Sequence, residues 1–126
     1  MNNKDTTNNH RDNDETETWY NTHGKIHRHK GSYIIYPDGT QKWFKNRKLH
    51  RDNDLPATIK SNGDQEWYKN GELHRDNDLP AVIWSDGRQE WYKNGKHHRG
   101  NDLPAIIYPD GRQDWYQHGI MYKREK

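Results

Sequence analysis

Paired acidic side chains recur along the sequence at the spacing of calcium ligands. Asp52-Asn53-Asp54 and Asp76-Asn77-Asp78 place side-chain oxygens at alternate positions, as calcium-binding loops do. Leu and Pro follow each segment where such a loop needs a third ligand and a glycine, and Gly100 replaces the first aspartate in the next copy. Asp and Asn also favour turns, because they hydrogen-bond to nearby backbone groups. The segments therefore predict turns, and we predict neither a metal nor a cofactor.

A His-Arg pair precedes each acidic segment and creates the triplet His-Arg-Asp, which also occurs in the catalytic loop of protein kinases. The triplet stands at residues 50–52 and again at 74–76. An active site is singular, and the sequence has no Gly-rich phosphate loop, strand lysine or Asp-Phe-Gly to accompany it. We expect each arginine to pair with a neighbouring aspartate of the same corner. No residue is predicted to be catalytic, and the protein is predicted not to be an enzyme.

Three histidines, His50, His74 and His98, stand at a constant interval. If each interval adds two strands to a sheet, successive imidazoles lie about 10 Å apart. That distance is too long for two of them to share one zinc ion, whose ligands lie about 2 Å away. We expect the imidazoles to pack beside tryptophans. With no cysteine and only three serines, no nucleophile stands out beside a His-Asp pair.

The elements that carry these residues repeat. Five tryptophans are spaced 24 residues apart: Trp19, Trp43, Trp67, Trp91 and Trp115. The units that begin at residues 43, 67 and 91 each contain a segment of the type HRDNDLPA, here called the corner. The first unit is looser and the last is incomplete, as the caps of a stacked array are. We predict four full 24-residue repeats and a partial C-terminal capping repeat over residues 19–126.

Residues 1–18 are predicted to be a disordered tail, because they are acidic and polar and have no apolar residue after Met1. Within this tail, residues 10–14 read HRDND, the start of a corner without the Leu-Pro-Ala that follows elsewhere. We interpret this segment as the remnant of a decayed repeat that could fold over the first tryptophan.

Local signals within each unit favour strands and turns. Six pairs are predicted to form two-residue type I′ turns, which need a positive φ at both central residues: Asp38-Gly39, Asn62-Gly63, Asn70-Gly71, Asp86-Gly87, Asn94-Gly95 and Asp110-Gly111. Between them lie either one strand, such as residues 88–93, or two short strands joined by a corner. The predicted fold is all-β, an elongated antiparallel repeat sheet of β-hairpins.

Comparison of the units predicts which face of the sheet is buried. Ala and Ile recur at fixed positions, whereas the residues between and after them vary, and strand pleating puts the varying residues on the other face. The predicted core contains the five tryptophans, the leucines and alanines of the corners, and Ile59, Ile83 and Ile107. The predicted outer face contains Thr58, Val82 and Ile106 and the row Tyr36, Lys60, Trp84 and Tyr108.

The composition requires a thin, aromatic core. Apolar residues make up 27% of the chain and charged residues 32%, and the mean hydropathy is −1.66. Leu, Ile, Val and Phe number only 15, as do Trp, Tyr and Phe together. Aromatic side chains can compensate, since each buries about 150–250 Å².

The WYKNG, HRDNDLPA and Asp-Gly segments of residues 19–126 resemble MORN-type repeats, whose Tyr/Trp, Asn-Gly and Asp-Gly hairpins line up into an elongated antiparallel sheet. This variant is similar to repeat proteins of large DNA viruses of amoebae and of tailed phages. The 24-residue period and the HRDNDLPA corner depart from the common MORN unit. The resemblance implies a viral origin and roles in scaffolding or phospholipid binding. The Trp-Tyr pairs also resemble choline-binding cell-wall repeats, although His, Arg and Asp stand where those repeats carry further aromatics.

We predict a non-catalytic protein-interaction or scaffold module that binds a protein partner, or a second copy of itself, through Tyr36, Lys60, Trp84 and Tyr108. The alternatives are a module that binds nucleic acid or anionic lipid and one that binds choline or a glycan. The units carry +3, +1, −2, +1 and +2 from residue 19 onward, so no continuous basic stripe supports nucleic acid. No apolar stretch resembles a signal peptide or a transmembrane segment, so we expect an intracellular location, in the host cytoplasm or the virion.

Overall fold

The structure, a computed structural model, describes the backbone of residues 10–11, 16–21 and 24–29 and all atoms of residues 33–126. Every helix or strand assigned in these residues is a β-strand. Many strands are only two residues long, because a turn or a corner interrupts the chain every few residues. The all-β fold of antiparallel hairpins that the sequence predicts is confirmed.

The strands are numbered in chain order. Those before residue 50 are β1 (His10–Arg11), β2 (Thr16–Asn21), β3 (Gly24–His29), β4 (Tyr33–Ile35), β5 (Gln41–Lys45) and β6 (Lys48–Leu49). The next are β7 (Thr58–Ile59), β8 (Gln65–Glu66), β9 (Tyr68–Lys69), β10 (Glu72–Leu73), β11 (Val82–Ile83) and β12 (Gln89–Glu90). The last are β13 (Tyr92–Lys93), β14 (Lys96–His97), β15 (Ile106–Ile107), β16 (Gln113–Gln117) and β17 (Ile120–Glu125).

Thirteen of these strands form one elongated antiparallel sheet. The sheet runs from β1 to β17. Because β5 pairs with β7, β8 with β11 and β12 with β15, the residues of each corner lie outside the long sheet. The strands left out form small hairpins, β9 with β10 and β13 with β14, while β6 pairs with the end of β5. Each full unit after the first therefore adds two strands to the long sheet.

The Asn-Gly turns have the predicted geometry. Asn70 and Gly71 have φ angles of 51° and 87°, and Asn94 and Gly95 have 51° and 84°, as type I′ turns require. The same pair of positive angles occurs at Asn46-Arg47 and His118-Gly119, where the sequence carries only half of the usual signal or none.

The Asp-Gly turns, at Asp38-Gly39, Asn62-Gly63, Asp86-Gly87 and Asp110-Gly111, are not type I′, because only the glycine has a positive φ. Tyr36 accepts a hydrogen bond from the Gly39 N–H and donates its own N–H to the Thr40 carbonyl, so the loop has three residues and a glycine bulge. The residue before Asp takes part, and Pro37 there fits the second position of a type I turn. The predicted two-residue loops were wrong at these four places.

The corners join each unit to the next through tryptophan and arginine. The Trp67 indole N–H donates to the Asp54 carbonyl at 3.1 Å. The Arg75 guanidinium lies 3.8 Å from the centre of the Trp67 ring and donates to the Asp54 carboxylate at 2.9 Å and to the Pro80 carbonyl at 3.0 Å. The same contacts recur 24 residues later among Trp91, Arg99, Asp78 and Pro104. The expected pairing of each arginine with an aspartate of its own corner was wrong, because Arg75 and Arg99 bond to the aspartate of the preceding corner and so join successive corners.

Each corner histidine also fixes a turn of the following unit. His50 Nδ1 accepts the Asn70 N–H at 3.0 Å, and His74 Nδ1 accepts the Asn94 N–H at 3.2 Å. Asp52 lies 2.8 Å from the Nε2 atom of His50, which therefore carries the proton and donates it. His50 and His74 are thus bonded to their own corner through Nε2 and to the following unit through Nδ1.

The buried residues lie on both faces of the sheet. On one face, Trp67, Trp91 and Trp115 are 5–7% exposed and the corner alanines Ala57, Ala81 and Ala105 are fully buried. Trp43 is half-buried, and the predicted burial of Trp19 lies outside the described side chains.

On the other face Thr58, Val82 and Ile106 are 2%, 3% and 6% exposed, so the prediction that they face outward was wrong. The predicted core residues Ile59, Ile83 and Ile107 are only half-buried, and Leu55 is exposed. The three isoleucines lie opposite glutamines of the adjacent strands. Invariance among the units accompanies burial at the alanines and tryptophans but not at the isoleucines.

The predicted tail, residues 1–18, lies largely outside the described residues, as does most of the proposed remnant at 10–14. The described part pairs β1 with β2, and His10 lies opposite Thr18.

Thr58 buries a hydroxyl group that has no hydrogen-bond partner, at the position where the next units have Val82 and Ile106. An unsatisfied buried hydroxyl costs about 1–3 kcal/mol, whereas valine has the same shape without the polar group. We expect Thr58→Val to increase the free energy of unfolding by about 1 kcal/mol in urea titrations. The control Val82→Thr should lower it by a similar amount, and a loss of stability in both variants would contradict this account.

Trp67 is 7% exposed and lies between a corner carbonyl and a guanidinium. Its replacement by alanine leaves a cavity and an unpaired Asp54 carbonyl, so Trp67→Ala should cost about 3–5 kcal/mol. Urea unfolding followed by circular dichroism would measure this loss. Trp84→Ala is the control, since Trp84 is only half-buried, and an equal loss there would show that the corners have no special role.

Candidate interaction face

Three carboxylates, here called the acidic row, lie across the sheet on the same face as Thr58: Glu66, Glu90 and Asp114. Glu66 lies opposite Thr58 and Val82, and Glu90 lies opposite Val82 and Ile106. Their side chains are 16%, 8% and 0% exposed in chain order. Burial of a carboxylate is costly without donors, so each member of the row must be paired.

Glu90 has the densest set of partners. Its Oε2 accepts the Trp84 indole N–H at 2.5 Å and lies 3.2 Å from Arg88 Nε. Its Oε1 accepts the Tyr92 hydroxyl at 3.0 Å and lies 2.7 Å from His97 Nε2. One carboxylate therefore holds two aromatic rings, an imidazole and a guanidinium in fixed positions.

The flanking members of the acidic row have simpler partners. Glu66 accepts the Tyr68 hydroxyl at 3.1 Å and lies 3.3 Å from Lys60 Nζ. Asp114 accepts the Tyr108 hydroxyl at 3.0 Å and two bonds from Arg124, at 2.7 and 3.0 Å. The pairings differ from unit to unit while the acid stays in place.

The predicted interaction residues Tyr36, Lys60, Trp84 and Tyr108 lie on this face, one per unit. Lys60 is exposed and the three rings are half-buried. Cations cover the rings, with Arg88 4.2 Å from the centre of Trp84 and Arg112 3.9 Å from that of Tyr108. Lys42 lies 5.5 Å from the centre of Tyr36. The structure thus places the predicted residues on one face, and the polar atoms of Lys60, Trp84 and Tyr108 are already paired with the acidic row.

The network shifts the pKa values of its members. Burial raises the pKa of Glu90, but hydrogen bonds from His97, Trp84 and Tyr92 lower it by more, so the pKa lies below its ordinary value. The Arg124 hydrogen bonds are the main reason why the pKa of Asp114 is also lowered. Burial and the neighbouring Glu66 raise the pKa of Tyr68 to about 12. Glu90 and Asp114 are therefore ionised and Tyr68 is neutral at neutral pH.

The opposite face of the same strands is regular and uncharged over its middle part. Ile59 lies opposite Gln41 and Gln65, and Ile83 lies opposite Gln65 and Gln89. All of these side chains are half-buried. This surface, here called the Ile/Gln face, lies on the other side of the sheet from the acidic row, and substitutions on it can serve as controls.

Sequence reasoning identified the aromatic row but missed the acidic row that holds it. The signal was present, since each unit has an acid just before its tryptophan, at residues 66, 90 and 114. Because side chains alternate between the faces of a strand, an acid next to a buried tryptophan is predicted to be exposed to solvent. Only the register of the sheet shows that Glu66 and Glu90 each lie between two β-branched side chains of the adjacent strands.

No group of three or more His, Cys, Asp or Glu side chains placed to hold a metal ion occurs within the described residues. In that same part of the chain, no helix is long and apolar enough to cross a membrane.

Glu90→Gln should lower the free energy of unfolding at pH 7 by about 1–3 kcal/mol, because the amide loses the charge that pairs with Arg88 and His97. The lowered pKa of Glu90 stabilises the folded chain above the unfolded pKa of about 4.3, and this contribution is lost as the pH falls through the folded pKa. The variant should therefore lose less stability than the wild type between pH 5 and 3. Urea titrations across this range would measure both effects.

Glu66→Gln is the matched control for this experiment, since Glu66 occupies the equivalent position but is held by the Tyr68 hydroxyl and the Lys60 ion pair, with no imidazole or indole donor. Its loss at pH 7 should be smaller. Equal losses in the two variants, or no loss in Glu90→Gln, would contradict the role assigned to Glu90.

Comparison with known proteins gives one short similarity. A segment of 25 residues, 20% of the chain, is 64% identical to an uncharacterised protein, L111, of Acanthamoeba polyphaga mimivirus. The match covers 7% of the length of that viral protein. No family model matches the chain, and no solved structure matches it. The similarity points to a viral relative.

Proposed function

We propose that the chain is a non-catalytic protein-interaction or scaffold module built from MORN-like repeats, and that it is of viral origin. The 24-residue period of the tryptophans and the hairpin sheet support the MORN-like assignment. The similarity to a mimivirus protein supports the viral origin.

The observation that carries the proposal is the row of Tyr36, Lys60, Trp84 and Tyr108, displayed one per unit along a continuous sheet. Trp and Tyr rings contribute most to protein interfaces when they are held rigidly before binding. The acidic row holds Trp84 and Tyr108 through their own polar atoms, at Glu90 and Asp114. Because these rings are already fixed before a partner binds, binding would cost less conformational entropy.

A non-catalytic role agrees with how this face uses its reactive groups. The carboxylates are separated by one β-branched residue of the intervening strand, and each is bonded to donors of its own unit or its strand partner. Acid-base catalysis needs two groups that converge on one substrate atom. The repeated spacing distributes the groups along the sheet instead.

The alternatives fit this face less well. A choline headgroup needs open aromatic faces, and Arg88 and Arg112 already cover those of Trp84 and Tyr108. Nucleic acid needs free cations in a row, whereas Arg88 and Arg124 are paired with Glu90 and Asp114. A protein surface can use both the rings and the charges around them.

The double substitution Trp84→Ser and Tyr108→Ser should remove partner binding. The tagged wild type and variant would be incubated with lysate of the native or infected cells, with and without nuclease, and bound proteins identified by mass spectrometry. We expect a dominant protein partner, recovered with nuclease present, to fall at least about tenfold with the variant, since two central aromatic anchors account for more than 1.4 kcal/mol of binding.

The matched control is Gln65→Ser and Gln89→Ser on the Ile/Gln face, which should leave recovery unchanged. Circular dichroism and urea titration would show that both double variants fold. Recovery that persists in the aromatic variant, or that falls only in the glutamine variant, would contradict the assignment of this face. Recovery abolished by nuclease would favour nucleic acid.

A further inference from the structure

The three corners are not chemically alike. In the first two, an aspartate carboxylate lies on the Nε2–H of the corner histidine, Asp52 at 2.8 Å from His50 and Asp76 at 2.7 Å from His74. In the third corner the residue at this position is Gly100, so the aspartate that bonds to the histidine in the first two corners is missing.

The remaining parts of the third corner are kept. His98 Nδ1 accepts a backbone N–H at 3.1 Å, from His118, as His50 and His74 do from Asn70 and Asn94. The accepting Nδ1 leaves the proton on Nε2, the atom that donates to aspartate in the other corners. The donor is therefore present in the third corner and its internal acceptor is missing.

A lysine and a second imidazole lie beside this position. Lys93 is the counterpart of Lys45, whose Nζ lies 3.9 Å from Asp52. Burial is the main reason why the pKa of His98 is lowered, and the nearby His118 and Lys93 lower it further. The ring of His118 lies 4.5 Å from that of His98, where earlier units have asparagine. Two imidazoles and a lysine thus lie at this position, and the two carboxylates on the same cleft, Asp76 and Asp78, are already paired with His74 and Arg99.

Gly100 is not required by the backbone. Its φ lies outside the left-handed region, and a Cβ added there would meet no atom within 4 Å. An open cleft of about 310 Å³ adjoins it, lined by His98, Arg99, Asn101 and the preceding corner. An aspartate would fit, so its absence leaves room for an anion from outside.

We propose that the third corner is a carboxylate-binding site, in which the Nε2–H of His98, with Lys93 and His118 beside it, holds a carboxylate group where Asp52 and Asp76 lie in the other corners. The carboxylate comes either from an acidic side chain of another protein or from a small free acid. The site lies in the corner and shares no residue with the interaction face proposed above, so an experiment can contradict one proposal without contradicting the other.

The chain provides its own variants for the test. Gly100→Asp supplies the missing internal carboxylate and should block the site, whereas Asp76→Gly removes one and should create a second site at His74. Neither substitution disturbs a buried side chain, since the Asp76 side chain is 68% exposed. Circular dichroism and amide chemical-shift dispersion would show that both variants fold.

Sodium acetate would be titrated into the full chain at constant ionic strength, with chloride as the replaced anion, and the imidazole C–H resonances followed by two-dimensional NMR. We expect a saturable shift of His98 in the wild type, a loss of affinity of at least about tenfold in Gly100→Asp, and a new saturable shift of His74 in Asp76→Gly. His50, whose carboxylate is intact, is the internal control.

Blocked peptides that contain a single aspartate or asparagine distinguish the two sources. Tighter binding of the aspartate peptide than of acetate indicates a protein carboxylate, and equal or weaker binding indicates a small free acid. The proposal is overturned if His98 does not respond to either ligand, if Gly100→Asp binds as the wild type does, or if the asparagine peptide binds equally well.

Discussion

The arginine guanidinium at each corner is the contact on which the array depends. Arg75 covers the Trp67 ring while it bonds to the Asp54 carboxylate and the Pro80 carbonyl, and so it joins its own corner to the preceding corner, 21 residues earlier. An exposed ion pair alone is worth about 0.2–1 kcal/mol. Here the guanidinium is only 13% exposed and stacked on an indole, which adds about 0.5–2 kcal/mol. Because the apolar core is thin, such contacts must repeat with every unit.

The corner backbone is shaped for this arrangement. Asn53 and Asp54 both have left-handed φ angles, 66° and 56°, as do Asn77 and Asp78 and then Asn101 and Asp102. Asn and Asp tolerate this conformation better than other residues with a side chain. It turns the Asp54 carbonyl towards the Trp67 indole and its carboxylate towards Arg75. The Asn-Asp dipeptide thus serves the fold, and the calcium-like spacing is a consequence of the turn.

The sequence predicted the strands, the period and the residues of the aromatic row because each depends on local pattern. It failed where a result depended on register. Asp38-Gly39 forms a three-residue loop since Pro37 joins the turn, and Thr58 is buried since its strand lies beside Glu66 and Lys42. Neither fact can be read from period-two alternation, because a shift of one residue moves every side chain to the other face. The acidic row was missed for the same reason.

A repeating chain contains its own controls, because equivalent positions share a backbone and differ in chemistry. Where Glu90 meets Trp84, Asp114 meets Tyr108, and the shorter acid is also held by Arg124 from the last strand. Here the acid, the ring and the cation change together, which is what a structural network requires. At Gly100 the aspartate is lost while the corner histidine, the lysine and the backbone hydrogen bond to Nδ1 are retained, although His118 replaces asparagine as the donor. A position that loses one partner while the other contacts persist is better explained by a partner from outside the chain than by the needs of the fold.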